Sequence, residues 1–287
     1  MTSNSQQSLP AEKLEWLERA FREEQPPALI RDLLKNEGHS DEEIRAAMKE
    51  RYPTPEQAMQ HCKDYVAMAK PRLVEQADAL GAVAVDNPHV QLYTIENFLA
   101  PALCEQLVEI CREHATPSKT YMGVHSMHRT SSTSKLFPYM GDAVQEANTR
   151  IANTIGFSLK YSEALQGQIY GSGQEYKAHH DYLPPEYMAQ MQSIFELSGP
   201  RTWTFMVYLN KPRKGGHTEF THIGKLIEPA QGKAIIWNNL RANGSPNIYT
   251  EHRGCPVEKG SKIILTKWFR SEGYGPAFLE TSGQATQ

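Results

Sequence analysis

The residues best suited to chemistry are His179, His180 and Asp181, read together with His252 far downstream. In an extended strand residues i and i+2 share a face, so His179 and Asp181 can bind one ion while His180 points the other way. A third ligand must then come from elsewhere, and His252 is the candidate. Two imidazoles and a carboxylate on one face of a metal leave three positions open, which suits a non-haem Fe(II) centre that admits a co-substrate and O2. The pattern predicts an enzyme.

Tyr170 ends an apolar strand, Gly171 to Gly173 make a turn, and the chain returns at Tyr176 toward the ligands, which places Tyr170 near the metal. Downstream, His252 precedes a turn and Lys262 opens the following strand, expected beside the one that His252 ends. An α-keto acid chelating iron through its C1 carboxylate and C2 oxo group needs a cation at its far carboxylate. Lys262 supplies that point charge.

These segments resemble the prolyl 4-hydroxylase branch of the Fe(II)- and 2-oxoglutarate-dependent dioxygenases. The matching elements are Tyr170-x2-Gly173-x2-Tyr176-x2-His179-x-Asp181, the stretch Gly215 to Phe220, His252-x9-Lys262, and Lys267-Trp268. Arg129-Thr130-Ser131 is similar to a segment that precedes the barrel in that branch, and the resemblance spans residues 90–272. It implies that His179, Asp181 and His252 bind Fe(II), that Lys262 pairs with the C5 carboxylate of 2-oxoglutarate, and that Tyr170 donates a hydrogen bond to the co-substrate. It also implies consumption of O2, release of succinate and CO2, hydroxylation of a substrate C–H bond, and use of ascorbate to rescue oxidised iron. Relatives that halogenate have Gly or Ala at the position of Asp181, so the carboxylate favours hydroxylation. Arg129 is the substrate-side candidate. The substrate is expected to be a prolyl residue or similar side chain in an amino acid, peptide or protein; a free amino acid or small natural product stays open.

Bland readings stand beside these. Tyr176 reads as a core aromatic, His180 as structural, and Trp237 and Trp268 as barrel packing. Residues 182–200 are either a lid or a surface excursion. A non-catalytic jelly-roll module that kept its metal would need no co-substrate anchor, which Lys262 and Tyr170 argue against. Metal-dependent hydrolysis fits poorly, since the chain has no HExxH helix.

The elements that must position these residues follow from periodicity. Residues 1–8 are polar and read as a disordered tail, and 9–76 as a small all-helical module for docking or dimerisation. Leu14, Leu17 and Phe21 fall at helical spacing, Ser40-Asp41-Glu42-Glu43 is a capping box, and Thr54-Pro55-Glu56-Gln57 repeats the start signal. From 83 to 275 helices around 101–114 and 139–155 precede a run of short strands with Gly and Pro between them. That order predicts an α+β fold, a double-stranded β-helix or jelly roll buttressed by helices, with 276–287 as a tail.

The chain of 287 residues carries a formal net charge of -3, so no basic surplus points to nucleic acid or an anionic membrane. The opening residues lack an apolar leader and no run nears ~18 apolar residues, so the cytoplasm is the expected location. Cys62, Cys104, Cys111 and Cys255 show no CxxC pairing, consistent with thiols in a reducing compartment.

Overall fold

Residues 8–22, 27–53, 64–118, 129–182, 198–273 and 277–279 are described in a computed structural model. The Thr54 start signal and nearly all of the 182–200 connection lie outside the described residues.

Three helices open the chain: α1 (Ala11–Arg22), α2 (Pro27–Asn36) and α3 (Asp41–Met48). The capping box forms as expected, with Ser40 Oγ accepting from the Glu43 amide and the Glu43 carboxylate accepting from the Ser40 amide. Their shared core holds Leu17, Ala20, Ile30, Leu34, Ile44 and Met48. Leu14 differs from expectation, being 39% exposed, because the buried stripe of α1 runs through Leu17 and Ala20. The short helices α4 (Tyr65–Met68) and α5 (Arg72–Glu75) pack elsewhere. Met68 and Leu73 sit in the main core with Trp203 and Ile155, and the Trp203 indole donates to the Met68 carbonyl at 2.8 Å. The packing boundary therefore falls inside the 9–76 stretch that periodicity groups as one module.

Next come β1 (Ala82–Ala84), β2 (Leu92–Ile95), α6 (Pro101–Glu113), β3 (Thr116–Pro117), β4 (Ser132–Leu136) and α7 (Asp142–Ile155). Proline at the first position starts α6, which buries Leu103, Cys104, Leu107, Val108 and Cys111. The remaining strands are β5 (Leu165–Tyr170), β6 (Tyr176–His179), β7 (Arg201–Tyr208), β8 (Lys214–Gly215) and β9 (Thr218–Phe220). They continue as β10 (Lys225–Ile227), β11 (Ala234–Asn238), β12 (His252–Gly254), β13 (Val257–Lys259) and β14 (Lys262–Arg270).

Antiparallel pairing gives a large sheet ordered β1-β2-β11-β7-β14-β5-β4-β3 and a small sheet ordered β10-β9-β12-β6. The chain passes repeatedly between them, which is the double-stranded β-helix. Alternation then sorts the side chains. Leu165, Trp203, Phe205, Val207, Leu265 and Phe269 join α6 and α7 in the main core, whereas Tyr170, Met206, Tyr208, Trp237 and Ile264 face inward with Phe220 of the small sheet. Close approach of α6 to β5 depends on Gly167, where a Cβ would lie 2.4 Å from the Cys111 sulfur.

Candidate active site

The small sheet brings the predicted ligands together. His252 of β12 is the cross-strand partner of His179 of β6, and Asp181 follows two residues later. One ligand atom from each of the three lies within 4.8 Å of the others. His179 Nε2 is 3.9 Å from Asp181 Oδ1.

The donor atoms are oriented for a metal. His179 Nδ1 donates to the Lys177 carbonyl at 2.8 Å and His252 Nδ1 to the Thr250 carbonyl at 2.9 Å. A carbonyl only accepts, so each Nδ1 carries a proton and each Nε2 is left to face the site. Asp181 Oδ2 accepts from Thr204 Oγ1 at 2.7 Å, and Thr204 Oγ1 in turn accepts from Asn239 Nδ2 at 2.9 Å. That leaves Oδ1 for an ion. Burial, aided by His252, pushes the His179 imidazole down to about 3, which keeps it neutral and ligating. Burial pushes the Asp181 carboxyl upward, but His252, His179 and Arg201 outweigh it and hold the group below its usual range. Two imidazoles anchored through Nδ1 and one ionised carboxylate fit a divalent iron.

Aromatic rings fix the ligands in place. Tyr176 stacks on His179 with centroids 3.6 Å apart, a closer engagement with the site than a core aromatic would have. Trp237 meets His252 edge-on at 4.8 Å, and Phe220 lies 5.6 Å from it. His180 turns away as alternation requires, its Nε2 at 3.2 Å from the Ile248 carbonyl.

Lys262 is 2% exposed and opens β14 directly across from Tyr170 of β5, with Nζ 4.6 Å from the centre of the Tyr170 ring. Its strand does not lie beside that of His252. β14 belongs to the large sheet and β12 to the small one, so lysine and histidine face each other across the barrel. The side chain reaches toward β12 at Gly254, where an added Cβ would stand 3.2 Å from Nζ. Burial lowers the Lys262 pKa to about 8. Among the described residues no carboxylate lies within ion-pair distance of it. A buried ammonium of this kind suits an anionic ligand. The Tyr170 hydroxyl donates to Gln168 Oε1 at 2.7 Å, so its hydrogen is engaged within the protein.

Residues 165–270 match the family model described as the 2OG-Fe(II) oxygenase superfamily. Over these residues the chain is similar to that superfamily. The chain is also similar to prolyl 4-hydroxylases. It is 30% identical over 175 residues to prolyl 4-hydroxylase subunit alpha-2 of Caenorhabditis elegans, covering 58% of this chain and 32% of the relative. It is 30% identical over 176 residues to subunit alpha-1 of Rattus norvegicus, again with 58% and 32% covered. The chain thus spans about a third of the length of these curated relatives. A solved viral collagen prolyl hydroxylase from Paramecium Bursaria Chlorella virus-1 aligns with a TM-score of 0.49 at 24% identity, covering 62% of this chain and 95% of that one.

Beside the ligands, Arg129 forms an isolated β-bridge to Tyr176 and is 9% exposed. Its Nε donates to Ser131 Oγ at 2.9 Å and its Nη2 to Thr133 Oγ1 at 3.0 Å, and the guanidinium lies 5.0 Å from the Tyr176 ring centre. Glu163 accepts from Arg201 at 2.5 and 2.8 Å and from Arg270 at 2.9 Å. Burial would raise the Glu163 carboxyl, but the two guanidiniums outweigh it and pull it down to about 2. Arg201 also donates to the Asp181 carbonyl at 3.3 Å and stacks over Trp268, 3.9 Å from its ring centre. No ligand-like spacing marks Glu163, Arg201, Thr204 or Gln168 in the sequence. Their roles arise from strand register.

Proposed function

We propose that the protein is an Fe(II)- and 2-oxoglutarate-dependent dioxygenase that hydroxylates a C–H bond of a prolyl residue or similar amino-acid side chain, releasing succinate and CO2. The observation that carries this reading is the pairing of a two-imidazole, one-carboxylate donor set with a buried ammonium across the barrel. His179 Nε2, His252 Nε2 and Asp181 Oδ1 would hold the iron, which when bound supplies the chemistry of O2 activation. Thr204 fixes the carboxylate, the Lys177 and Thr250 carbonyls fix the imidazole tautomers, and Tyr176, Phe220 and Trp237 exclude water around the rings. Lys262 would receive the far carboxylate of 2-oxoglutarate, with Tyr170 forming the wall beneath it. Arg129 would meet the substrate. We extend the reading to ascorbate as the reductant of oxidised iron, and to a cytoplasmic location. The latter is supported by the unpaired thiols of Cys104, Cys111 and Cys255, and among the described residues no helix is long and apolar enough to cross a membrane.

A non-catalytic metal-bearing module is disfavoured by Lys262, since an uncompensated buried charge has no use in a purely structural metal site. Succinate formation should require both Fe(II) and 2-oxoglutarate, and Asp181→Ala or His252→Ala should abolish it. Full turnover in either variant would overturn the assignment. Incubation with prolyl peptides, free proline and other amino acids, read by mass spectrometry for a gain of one oxygen, identifies the substrate.

A further inference from the structure

Gln168 lies on the inner face of β5, two residues before Tyr170, and is 4% exposed. Each side of its amide is engaged. Oε1 accepts the Tyr170 hydroxyl at 2.7 Å, while Nε2 donates to Gln166 Oε1 at 3.2 Å and to Thr266 Oγ1 at 3.1 Å. In this arrangement Nε2 is the donor side of the amide and Oε1 the acceptor of the phenolic hydrogen. Tyr170 is thereby tethered at the far end of its ring, where Ser131 and Arg129 also hydrogen-bond the phenol. The face of that ring lies under the Lys262 ammonium at 4.6 Å, where a buried cation with no carboxylate beside it among the described residues gains from the ring's negative face.

Resting on the oxygenase reading of the site, we propose that Gln168 is a positioning residue for the co-substrate. By accepting the Tyr170 hydroxyl, it holds the phenol ring beneath Lys262 and preorganises the end of the pocket that receives the far carboxylate of 2-oxoglutarate. Gln168 acts through Tyr170. A ring already held in place has no freedom left to lose when the co-substrate arrives, so the tether contributes to affinity and not to the chemical step.

A double-mutant cycle tests this by calorimetric titration of 2-oxoglutarate into the Mn(II)-loaded full chain, a redox-inert substitute for the iron protein. Gln168→Met, which keeps the volume and removes the acceptor, should weaken 2-oxoglutarate binding about fivefold to tenfold, the range of one lost buried hydrogen bond, with Mn(II) affinity unchanged. Tyr170→Phe should weaken it as well, and Gln168→Met should add nothing in the Tyr170→Phe background. Wild-type affinity in Gln168→Met, or independent effects that multiply in the double variant, would overturn the proposal. Should Gln168→Met fail to fold, undiminished affinity in Tyr170→Phe, which deletes only the hydroxyl, overturns it equally. Failure of the wild type to bind 2-oxoglutarate sinks the oxygenase reading and this inference with it, whereas wild-type binding with an indifferent Gln168 sinks the inference alone.

Discussion

Lys262 keeps an ammonium where water cannot solvate it, and burial lowers its pKa from the ordinary lysine value of 10.5 to about 8. The sign of the consequence is set by which form binds. Below about pH 8 the group is charged and attracts a dianionic keto acid; above it the amine is neutral and the attraction is lost. The apparent KM for 2-oxoglutarate should therefore rise as pH increases through 8 to 9, with kcat changing less. Lys262→Ala should show a high KM throughout and no such rise. Initial rates of succinate formation across pH check this, and a wild-type KM that stays flat from pH 7 to 9 would remove Lys262 from the co-substrate end. His179 works in the opposite sense. Its depressed pKa leaves the imidazole neutral over the same interval, so the ligand itself adds no pH dependence there.

Strands decide which residues meet. The alternation of β6 is written in the sequence, because His179 and Asp181 need only two-residue periodicity to share a side. Lys262 was legible from its spacing to His252 within a family resemblance. What was not legible is the register that seats β12 against β6, a pairing of short strands with an irregularity between His252 and Gly254. Thr204 illustrates the limit. Nothing marks a threonine within the buried run of β7, yet register puts its hydroxyl 2.7 Å from the Asp181 carboxylate. Replacing it with valine preserves shape, removes the donor to Asp181 and takes the acceptor from the buried Asn239 amide. Divalent-metal affinity should fall by roughly 10-fold to 100-fold, the usual cost of losing a partner of a metal ligand, and the melting temperature should fall as well, because the Asn239 donor is left unsatisfied. Competition titration with a metal-sensitive dye gives the affinity, and a Thr204→Val protein that binds metal like the wild type would show that the carboxylate needs no such brace.

At the scale of the whole molecule, helical periodicity says that residues 9–76 are helices but not which core each one enters. Ile44 and Met48 close a small core with Leu17, Ile30 and Leu34, and ion pairs such as Lys13–Glu37 and Arg51–Glu18 tie that unit to itself. Met68, Leu73 and the Arg72 bond to the Asn153 carbonyl at 2.9 Å belong instead to the main core. Stability should therefore divide near Pro53. Removal of residues 1–53 should leave a protein that folds cooperatively and binds 2-oxoglutarate in the presence of Mn(II) within about twofold of the full chain, since distant independent units contribute additively. Removal of residues 1–76 should instead collapse the melting transition, because it strips Met68 and Leu73 from beneath Trp203 and Ile155 and leaves a cavity in the main core. Differential scanning calorimetry on the two truncations separates these outcomes. Loss of keto-acid binding in the shorter deletion would mean that the first three helices support the barrel; a second truncation as stable as the full chain would mean that the helices of residues 65–75 are mere decoration on it.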